Sequence, residues 1–397
     1  MAYFPGEGHT TPPIHLLPAG GCGTTPEHTT KANQLKAQMQ ELANSRQSIN
    51  RLPCEVLAHI FVLCKHTKSR KKGRPDLFCV TKLPSICRQW RKVALDMKSL
   101  WSLVTLSNNP PFRFSALCLD RSGMTTPLDI EIRLSERFLG VQSGRGPDKE
   151  ARTMLDALNF IVAHGGATSR WRSFWLYTPG GRRTEPQIAA LDFIGKSPMP
   201  SLERLEVKYD GLHYATTQEQ QGLERVLHNR SLLHNPPPAR LKHVTLEWVP
   251  NSYLFASPDR PELVGLTHLE IMLPRTLPRL EHINALLVAN PMLRVLSIDT
   301  RVSPYDVPTD SEERAELAHL PKIKLPNLRA LALLFYTRTY RLWWEHSLFR
   351  MLDAPKVESL RLRLQMPPSQ PPYTQDFIPP LSWQAPICPT PNPCFQL

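Results

Sequence analysis

The stretch Leu202-Glu-Arg-Leu205-Glu-Val207 places apolar residues at its first, fourth and sixth positions, and this spacing decides the fold of the larger part of the chain. The same pattern returns at Trp171, Phe174, Leu176; Leu241, Val244, Leu246; Leu266, Leu269, Ile271; Leu293, Leu296, Ile298; Leu328, Leu331, Leu333; and Val357, Leu360, Leu362. A proline stands two residues before the first apolar position in four copies, at Pro200, Pro291, Pro326 and Pro355. The proline at the same position in four copies indicates a true repeat rather than triplets that arose by chance.

The residues between the triplets have helical periodicity, as at Met154, Leu158 and Ile161, which are four and three residues apart. A short strand followed by a helix, repeated, predicts an α/β fold whose stacked units share a parallel sheet. Further copies of the template occur upstream at Trp101, Val104, Leu106 and at Phe114, Leu117, Leu119, and an alternating strand is indicated at Leu128, Ile130, Ile132. The sequence therefore predicts an array over residues 102–365.

This array is predicted to be irregular. Successive copies are 25 to 39 residues apart, whereas leucine-rich repeats usually take about 20 to 29 residues. The asparagine expected three residues after the last apolar position is replaced by Asp210, Val249, Pro274, Arg301, Tyr336 and Gln365. We expect a degenerate leucine-rich-repeat-like solenoid, with Glu203, Arg204, Glu206 and Lys208 pointing outward where such arrays bind partners.

Upstream, residues 31–48 contain helix formers with no proline or glycine. Apolar residues recur there at Leu35, Met39, Leu42 and Ile49, at the spacing of one helical stripe. The pattern predicts an N-terminal helix over 31–48 that packs on the domain that follows it.

The next segment begins Arg51-Leu52-Pro53-Cys54-Glu55, with proline and an acidic residue where helices start. An apolar face follows at Val56, Leu57, Ile60, Phe61 and Cys64. A second helix is predicted from Pro84-Ser85, with apolar positions at Ile86, Cys87, Trp90, Val93 and Ala94. Leu100-Trp101 is expected to close the unit.

The order of these motifs, Leu-Pro-x-Glu, then Cys-Arg-x-Trp-Arg at Cys87, then Leu100-Trp101, resembles the F-box, a small helical module. The resemblance covers residues 49–101. It implies that the module binds a Skp-type adaptor and, through it, a cullin-RING ubiquitin ligase. The adaptor-binding residues implied by the resemblance are Leu52, Pro53, Val56, Leu57, Ile60, Phe61, Val80, Cys87 and Trp90. The combination of a long N-terminal helix, this module and an irregular Leu-rich array resembles the large F-box families of mushroom-forming fungi.

One departure from the family pattern is a basic insertion at 65–76. Residues 51–100 contain 12 Lys and Arg against 3 Asp and Glu, so this segment has most of the formal charge of +13. Three interpretations of the run Lys68, Arg70, Lys71, Lys72 and Arg74 stay open: a nuclear import signal, a nucleic-acid patch or a solvated loop. The insertion could also impair adaptor docking.

Composition excludes several classes of protein. Charged residues make up 21% and hydrophobic residues 41% of the chain, which does not suit a disordered polyelectrolyte. Five of the 40 prolines fall in 1–30 and ten in 366–397, so both segments are predicted to be disordered tails. No apolar run is long enough to span a membrane, and no secretory signal is recognisable, so a cytoplasmic or nuclear location is expected.

Signatures of catalysis and of cofactor binding are missing from the sequence, including a phosphate-binding loop, a dinucleotide fingerprint and a metalloprotease motif. Eight cysteines include no Cys-x-x-Cys pair, and Cys79, Cys87, His59 and His66 lack the spacing of zinc ligands. We expect no cofactor, no metal and no enzyme activity. The rings near Trp343-Trp344 are expected mostly in the core of the last repeats, although a ligand-facing cluster is the alternative.

The resemblance to the F-box, together with the repeat array, implies the substrate-recognition subunit of an SCF-type (Skp adaptor, cullin, F-box) ubiquitin ligase. The helical module would bind the adaptor, and the array would bind an unknown target protein. The alternatives are an interaction scaffold that recruits no ligase and, less well supported, a basic nucleic-acid-binding protein.

Overall fold

A computed structural model describes residues 26–66, 78–107, 110–134, 147–179, 185–210, 230–234, 236–255, 259–273, 277–300, 322–336 and 343–365. The chain divides into two compact units, Met1–Ala94 and Leu95–Leu397. Both predicted tails fall largely outside the described residues. The first unit is helical, and the second combines helices with a nine-stranded parallel sheet, so the fold is α/β as the repeat predicts.

The described helices of the first unit are α1 (Pro26–Arg46), α2 (Cys54–His66), α3 (Phe78–Ile86) and α4 (Arg88–Asp96), with a 3₁₀ turn at Ser48–Arg51. The N-terminal helix thus begins and ends earlier than the predicted 31–48. Pro53 caps α2, because its carbonyl accepts the N–H groups of Val56 and Leu57 at 3.1 Å. Glu55 lies in the first turn of α2, where the positive end of the helix dipole favours a carboxylate.

The predicted second helix is divided differently in the structure. Pro84 does not start a helix but lies inside α3, near its end. Pro84 has no N–H to donate to the carbonyl of Val80, so the helical ladder loses one bond there, and α3 ends two residues later at Ile86. The carbonyl of Cys87 accepts the N–H of Arg91 at 3.0 Å, which makes Cys87 the first residue to accept a bond from α4. Ile86, predicted on the packed face, is exposed.

The second unit contains strands β1 (Leu103–Leu106), β2 (Leu128–Arg133), β3 (Trp171–Pro179), β4 (Arg204–Asp210), β5 (His243–Glu247), β6 (His268–Leu273), β7 (Val295–Thr300), β8 (Ile323–Lys324), β9 (Ala330–Tyr336), β10 (Leu352–Asp353) and β11 (Ser359–Gln365). The helices described between them are α5 (Arg113–Ser122), α6 (Pro147–Ala163), α7 (Glu185–Lys196), α8 (Asn251–Leu254), α9 (Leu280–Val288) and α10 (Trp343–Met351). Two short 3₁₀ turns lie at Lys98–Trp101 and Thr168–Arg170.

The nine long strands pair in chain order, β1-β2-β3-β4-β5-β6-β7-β9-β11, and each pair is parallel. The short strands β8 and β10 form a separate parallel pair. Parallel strands in chain order, joined by crossovers of one hand, place their connections on the same side of the sheet. One face of the sheet therefore packs on the helices, and we call the other the open face.

The register of the sheet follows the sequence repeat. Leu205 pairs with Val244, Val244 with Leu269, and Leu269 with Leu296, so equivalent triplet positions lie side by side on neighbouring strands. The fourth and sixth positions of each triplet form two continuous rows that point toward the helices, and from β1 to β9 they are at most 5% exposed. A one-residue slip would turn both rows to the open face, so burial of these rows fixes the register.

Two predicted boundaries are wrong. Phe114, Leu117 and Leu119 lie in α5 rather than in a strand, because their spacing also suits a helix, and Cys118 and Leu119 are its buried positions. Leu100-Trp101 does not close the helical unit, which ends at Ala94, but leads into β1. There the ring of Trp101 lies 4.3 Å below the guanidinium carbon of Arg121 on α5.

Candidate functional site

The helical unit presents an apolar stripe on α2. Pro53, Val56, Ile60 and Leu63 follow one another at spacings of three, four and three residues, which places them on one side of the helix. Val56 is 43% and Leu63 56% exposed, Pro53 is also exposed, and Ile60 is half-buried. A run of four apolar side chains at a helix surface is a candidate docking surface for a partner.

The predicted adaptor-binding residues separate into two groups. Pro53 and Val56 are exposed, and Leu52, Ile60 and Cys87 are half-buried. Leu57, Phe61, Val80 and Trp90 are buried. The buried four form the interior of the free module, so their contact with an adaptor stays a prediction that would require the module to rearrange. Leu63 is not among the predicted adaptor-binding residues. Its position three residues after Ile60, on the same side of the helix, was the pattern that could have identified it.

Trp90 is held in the interior by a polar contact and a ring contact. Its indole N–H donates to Oδ1 of Asn50 at 2.6 Å, and its ring centroid lies 5.1 Å from that of Phe61. The amide of Asn50 donates in turn to the carbonyl of Asn44 at 2.7 Å, near the end of α1. Asn50 thereby connects α1 with α4 and satisfies a buried donor. No pattern in the sequence singles it out, because one asparagine in a short turn carries no periodic signal.

The apolar stripe of α1 is not packed as predicted. Leu35, Met39, Leu42 and Ile49 are all exposed. The contacts of α1 with the rest of its unit include a hydrogen bond from Asn50 to the carbonyl of Asn44 at 2.7 Å and an ion pair of Glu41 with Arg88 at 3.1 Å. The spacing predicted the helix correctly but not its packing, because a stripe of three or four apolar residues does not specify a partner.

The basic run Lys68, Arg70, Lys71, Lys72 and Arg74 lies outside the described residues. Its three interpretations therefore stay as predictions. Of the cysteines and histidines weighed as zinc ligands, His59 and Cys87 are described, whereas the side chains of His66 and Cys79 lie outside the described part.

In the second unit, the open face of the sheet has a polar and aromatic patch on β2 and β3. The rings of Trp175 and Tyr177 stack at 5.6 Å, and the guanidinium carbon of Arg133 lies 4.6 Å from the Trp175 ring. Arg133 also pairs with Glu131, which lies opposite Trp175 in the sheet register. Aromatic rings flanked by charges that pair with one another are typical of protein-contact surfaces.

Beside this patch, β4 has the side chains that the sequence places outward. Glu206 lies between two cations, with Lys208 Nζ at 3.0 Å and Arg204 Nε at 3.9 Å from its carboxylate oxygens. These charges compensate one another locally. The patch therefore offers shape and ring surface rather than a strong net charge.

Two histidines follow on β5 and β6 of the same face. The rings of His243 and His268 stack with centroids 4.8 Å apart. Burial lowers the pKa of His243 to about 4, and the positive charge of Arg204 and the neighbouring His268 act in the same direction. His243 is consequently neutral at physiological pH.

The aromatic cluster near the end of the array is mainly structural where it is described. Trp344 is 1% exposed, and its indole N–H donates to the carbonyl of Pro278 at 3.0 Å. Phe335 is also buried. Tyr340 lies outside the described residues, and the side chains of Trp343 and Tyr336 do as well.

A cavity of about 520 Å³ lies between α6 and α7 and is lined mainly by apolar side chains. Its principal carboxylate, Asp192, is already engaged: it accepts the Tyr253 hydroxyl at 2.6 Å and pairs with Arg230. This arrangement raises the pKa of Arg230 through its hydrogen bond to Asp192. Asp192 thus holds the fold together rather than a ligand, whereas Glu185 lines the same cavity with a buried Oε2 that has no hydrogen-bond partner among the described residues.

Within the described ranges, no group of three or more His, Cys, Asp or Glu side chains could hold a metal ion. Among the same residues, no helix is both long and apolar enough to cross a membrane. Comparisons of the chain with protein-family models, with curated proteins and with solved structures find no match.

Proposed function

We propose that this protein is the substrate-recognition subunit of an SCF-type ubiquitin ligase. In this proposal the helical unit is an F-box module that binds a Skp-type adaptor. The second unit is an irregular leucine-rich-repeat-like solenoid that binds the protein to be ubiquitinated. The chain itself supplies no catalytic group and acts by bringing the target close to the ligase.

The α2 stripe is the observation that carries the proposal. The Leu-Pro-x-Glu motif that resembles the F-box begins this helix, and the motif's Pro53 and the following Val56 and Ile60 are accessible to a partner. Their neighbours Leu57 and Phe61 are buried and keep the helix in place. An exposed apolar row on a packed helix suits a groove on a second protein.

The open face supports the second half of the proposal. Its strands follow chain order, so each repeat adds one row of outward side chains to a continuous surface. The patch formed by Arg133, Trp175 and Tyr177 gives this surface rigid rings suited to a protein target.

Binding of the full-length chain to a purified Skp-type adaptor tests the first step. Wild type should bind, and the double substitution Val56→Glu with Ile60→Glu should weaken binding at least about 30-fold, because each position is expected to behave as an interface hot spot. Melting curves of the variant show whether the helical unit remains folded.

The matched control places the same two charges on another exposed apolar stripe, with Leu35→Glu and Met39→Glu on α1. This control should bind as wild type does. The receptor proposal is wrong if wild type fails to bind the adaptor, or if the α2 variant binds as tightly as the α1 control. Failure of wild type to bind would favour a scaffold that recruits no ligase.

A further inference from the structure

The last strand of the sheet, β11, leaves two leucines exposed on the side that faces the helices. Leu360 is 49% and Leu362 41% exposed, whereas their register partners on β9, Leu331 and Leu333, are 5% and 0% exposed. β9 lies on one side of β11, and within the described residues no strand pairs with its other edge. A strand edge with exposed apolar residues is a template for pairing with another chain.

The backbone of the two leucines points toward this edge. The N–H of Ser359 donates to the carbonyl of Arg329 at 2.9 Å, at the start of the pairing between β11 and β9. In a parallel ladder, the residues that bond to a given neighbouring strand are every second residue along the chain. The N–H and C=O groups of Leu360 and Leu362 therefore point away from β9, where an added strand could bond to them.

Two arginines alternate with the leucines. Arg361 and Arg363 are both exposed, and because successive side chains of a strand point to opposite faces, they lie on the open face. The strand Ser359–Gln365 contains no acidic residue, and Glu358, just before it, is already paired with Arg329. The edge is therefore basic on the open face and apolar on the other face.

A second copy of β11 does not suit this edge. If two β11 strands paired antiparallel about Leu362, Arg361 of each chain would lie directly opposite Arg363 of the other, and like charges in that position destabilise a strand pair. No other pairing of two β11 strands brings a carboxylate to an arginine, because the strand has none. A strand that alternates acidic and apolar residues satisfies both faces: its apolar side chains cover the leucines, and its carboxylates meet the guanidinium groups.

We propose that β11 binds an extended segment of a partner protein, in which glutamate or aspartate alternates with apolar residues, as an additional antiparallel strand. The antiparallel direction is chosen because such pairs are slightly more stable per residue than parallel ones. Backbone hydrogen bonds give the affinity of strand addition, and the alternating side chains give its specificity. This binding requires neither the adaptor nor α2, so it stands or fails independently of the proposed ubiquitin-ligase function.

Fluorescence anisotropy of labelled synthetic peptides with the full-length chain tests the charge pattern. The peptide Ser-Val-Glu-Val-Glu-Val-Ser should bind at least about tenfold more tightly than Ser-Val-Lys-Val-Lys-Val-Ser, because two opposite-charge pairs give way to two like-charge pairs. A peptide of the first composition without the alternation, Val-Val-Val-Glu-Glu-Ser-Ser, should bind no better than the lysine peptide. Equal binding of the glutamate and lysine peptides overturns the proposal.

A charge reversal on β11 should reverse the preference. Arg361→Glu with Arg363→Glu should bind the lysine peptide more tightly than the glutamate peptide. The matched control, Lys31→Glu with Lys36→Glu, makes the same change of net charge at exposed positions of α1 and should behave as wild type does. If both variants change the preference equally, the peptides respond to the net charge of the chain and the proposal is wrong. Loss of both peptides by a β11 variant with an unchanged melting curve also overturns it.

N-methylation of the glutamate peptide tests strand pairing without any change to the protein. In the antiparallel pair, the valines opposite Leu360 and Leu362 direct their N–H groups toward β11, and the glutamates direct theirs away. Methyl groups on the nitrogens of these two valines should weaken binding at least about tenfold, whereas methyl groups on those of the glutamates should change it little. Equal effects overturn the proposal. So does a dimer of the chain that the glutamate peptide dissociates in sedimentation, which would identify a second copy as the occupant.

Discussion

Asn290 should be among the most sensitive polar positions of the second unit. It lies just beyond the end of α9 and is fully buried. Its side-chain amide donates to the carbonyls of Leu263 at 2.8 Å and Leu286 at 2.6 Å. Its Oδ1 accepts the N–H of Leu266 at 2.7 Å. One side chain thus connects the last turn of a helix to the segment that leads into β6.

The substitution Asn290→Ala removes all three hydrogen bonds and leaves buried backbone groups without these partners. Each neutral hydrogen bond contributes about 1 kcal/mol, and a buried group left unsatisfied costs about 1 to 3 kcal/mol. We therefore expect the free energy of unfolding to fall by about 3 to 4 kcal/mol. Urea unfolding followed by circular dichroism measures this change. The m-value, which is the slope of the free energy of unfolding against urea concentration, should be the same for the variant and wild type.

Asn327→Ala is the matched control in a neighbouring part of the sheet. The amide of Asn327 makes only long contacts, at 3.5 Å to the carbonyl of Pro291 and 3.5 Å to the sulfur of Met292. Its loss should cost less than about 0.5 kcal/mol, as for a surface residue. A loss below 1 kcal/mol for Asn290→Ala, or equal losses for the two variants, would refute the assignment of Asn290 as a structural link.

Three further predictions concern other positions. The free energy of unfolding should fall as the pH falls from 6.5 to 4, because the pKa of His243 is lowered to about 4 and the unfolded chain therefore binds a proton that the folded chain does not. Since His243 is half-buried, solvent screening reduces the expected fall to about 1 to 2 kcal/mol. Urea unfolding should show a weaker dependence of stability on pH for His243→Gln than for wild type. Gly195→Ala should cost about 1 to 3 kcal/mol, because a Cβ there would overlap the backbone carbonyl of Ser231; an unchanged melting temperature would contradict this. Trp90→Phe should cost about 1 to 2 kcal/mol by removing the donor to Asn50, and a variant with Asn50 also replaced should lose little more if the two residues act as a pair.

The repeat in the sequence predicted most of the sheet, and the reason is physical. Burial fixes the register, because the last two apolar positions of each triplet, such as Leu205 and Val207, must all lie on the buried face of the sheet. Side chains alternate between the two faces with a period of two, so a shift of one residue would expose both positions. The same spacing at Phe114, Leu117 and Leu119 predicted a strand, but the structure has helix α5 there. Apolar residues at the first, fourth and sixth positions of a six-residue stretch also fit one side of a helix.

The sequence predicted the residues of the candidate site on α2 but not which of them are exposed. Apolar residues on both sides of a short helix look alike in sequence, so Val56 and Leu57 were grouped together although one is exposed and the other buried. Tertiary packing separates them. The interior amides Asn50 and Asn290 were missed for a different reason, since a hydrogen bond to a backbone atom distant in sequence leaves no pattern in the chain.

The chain order of the strands has a consequence for biosynthesis. From β2 to β7 each strand pairs with the one synthesised just before it, and β9 and β11 likewise find their partners already made. The sheet can therefore grow at the ribosome in the direction of translation, without any strand waiting for a distant segment to emerge. Besides the fixed edge at β1, every nascent sheet exposes the edge of its newest strand, and this second edge moves along the sheet as each strand is added.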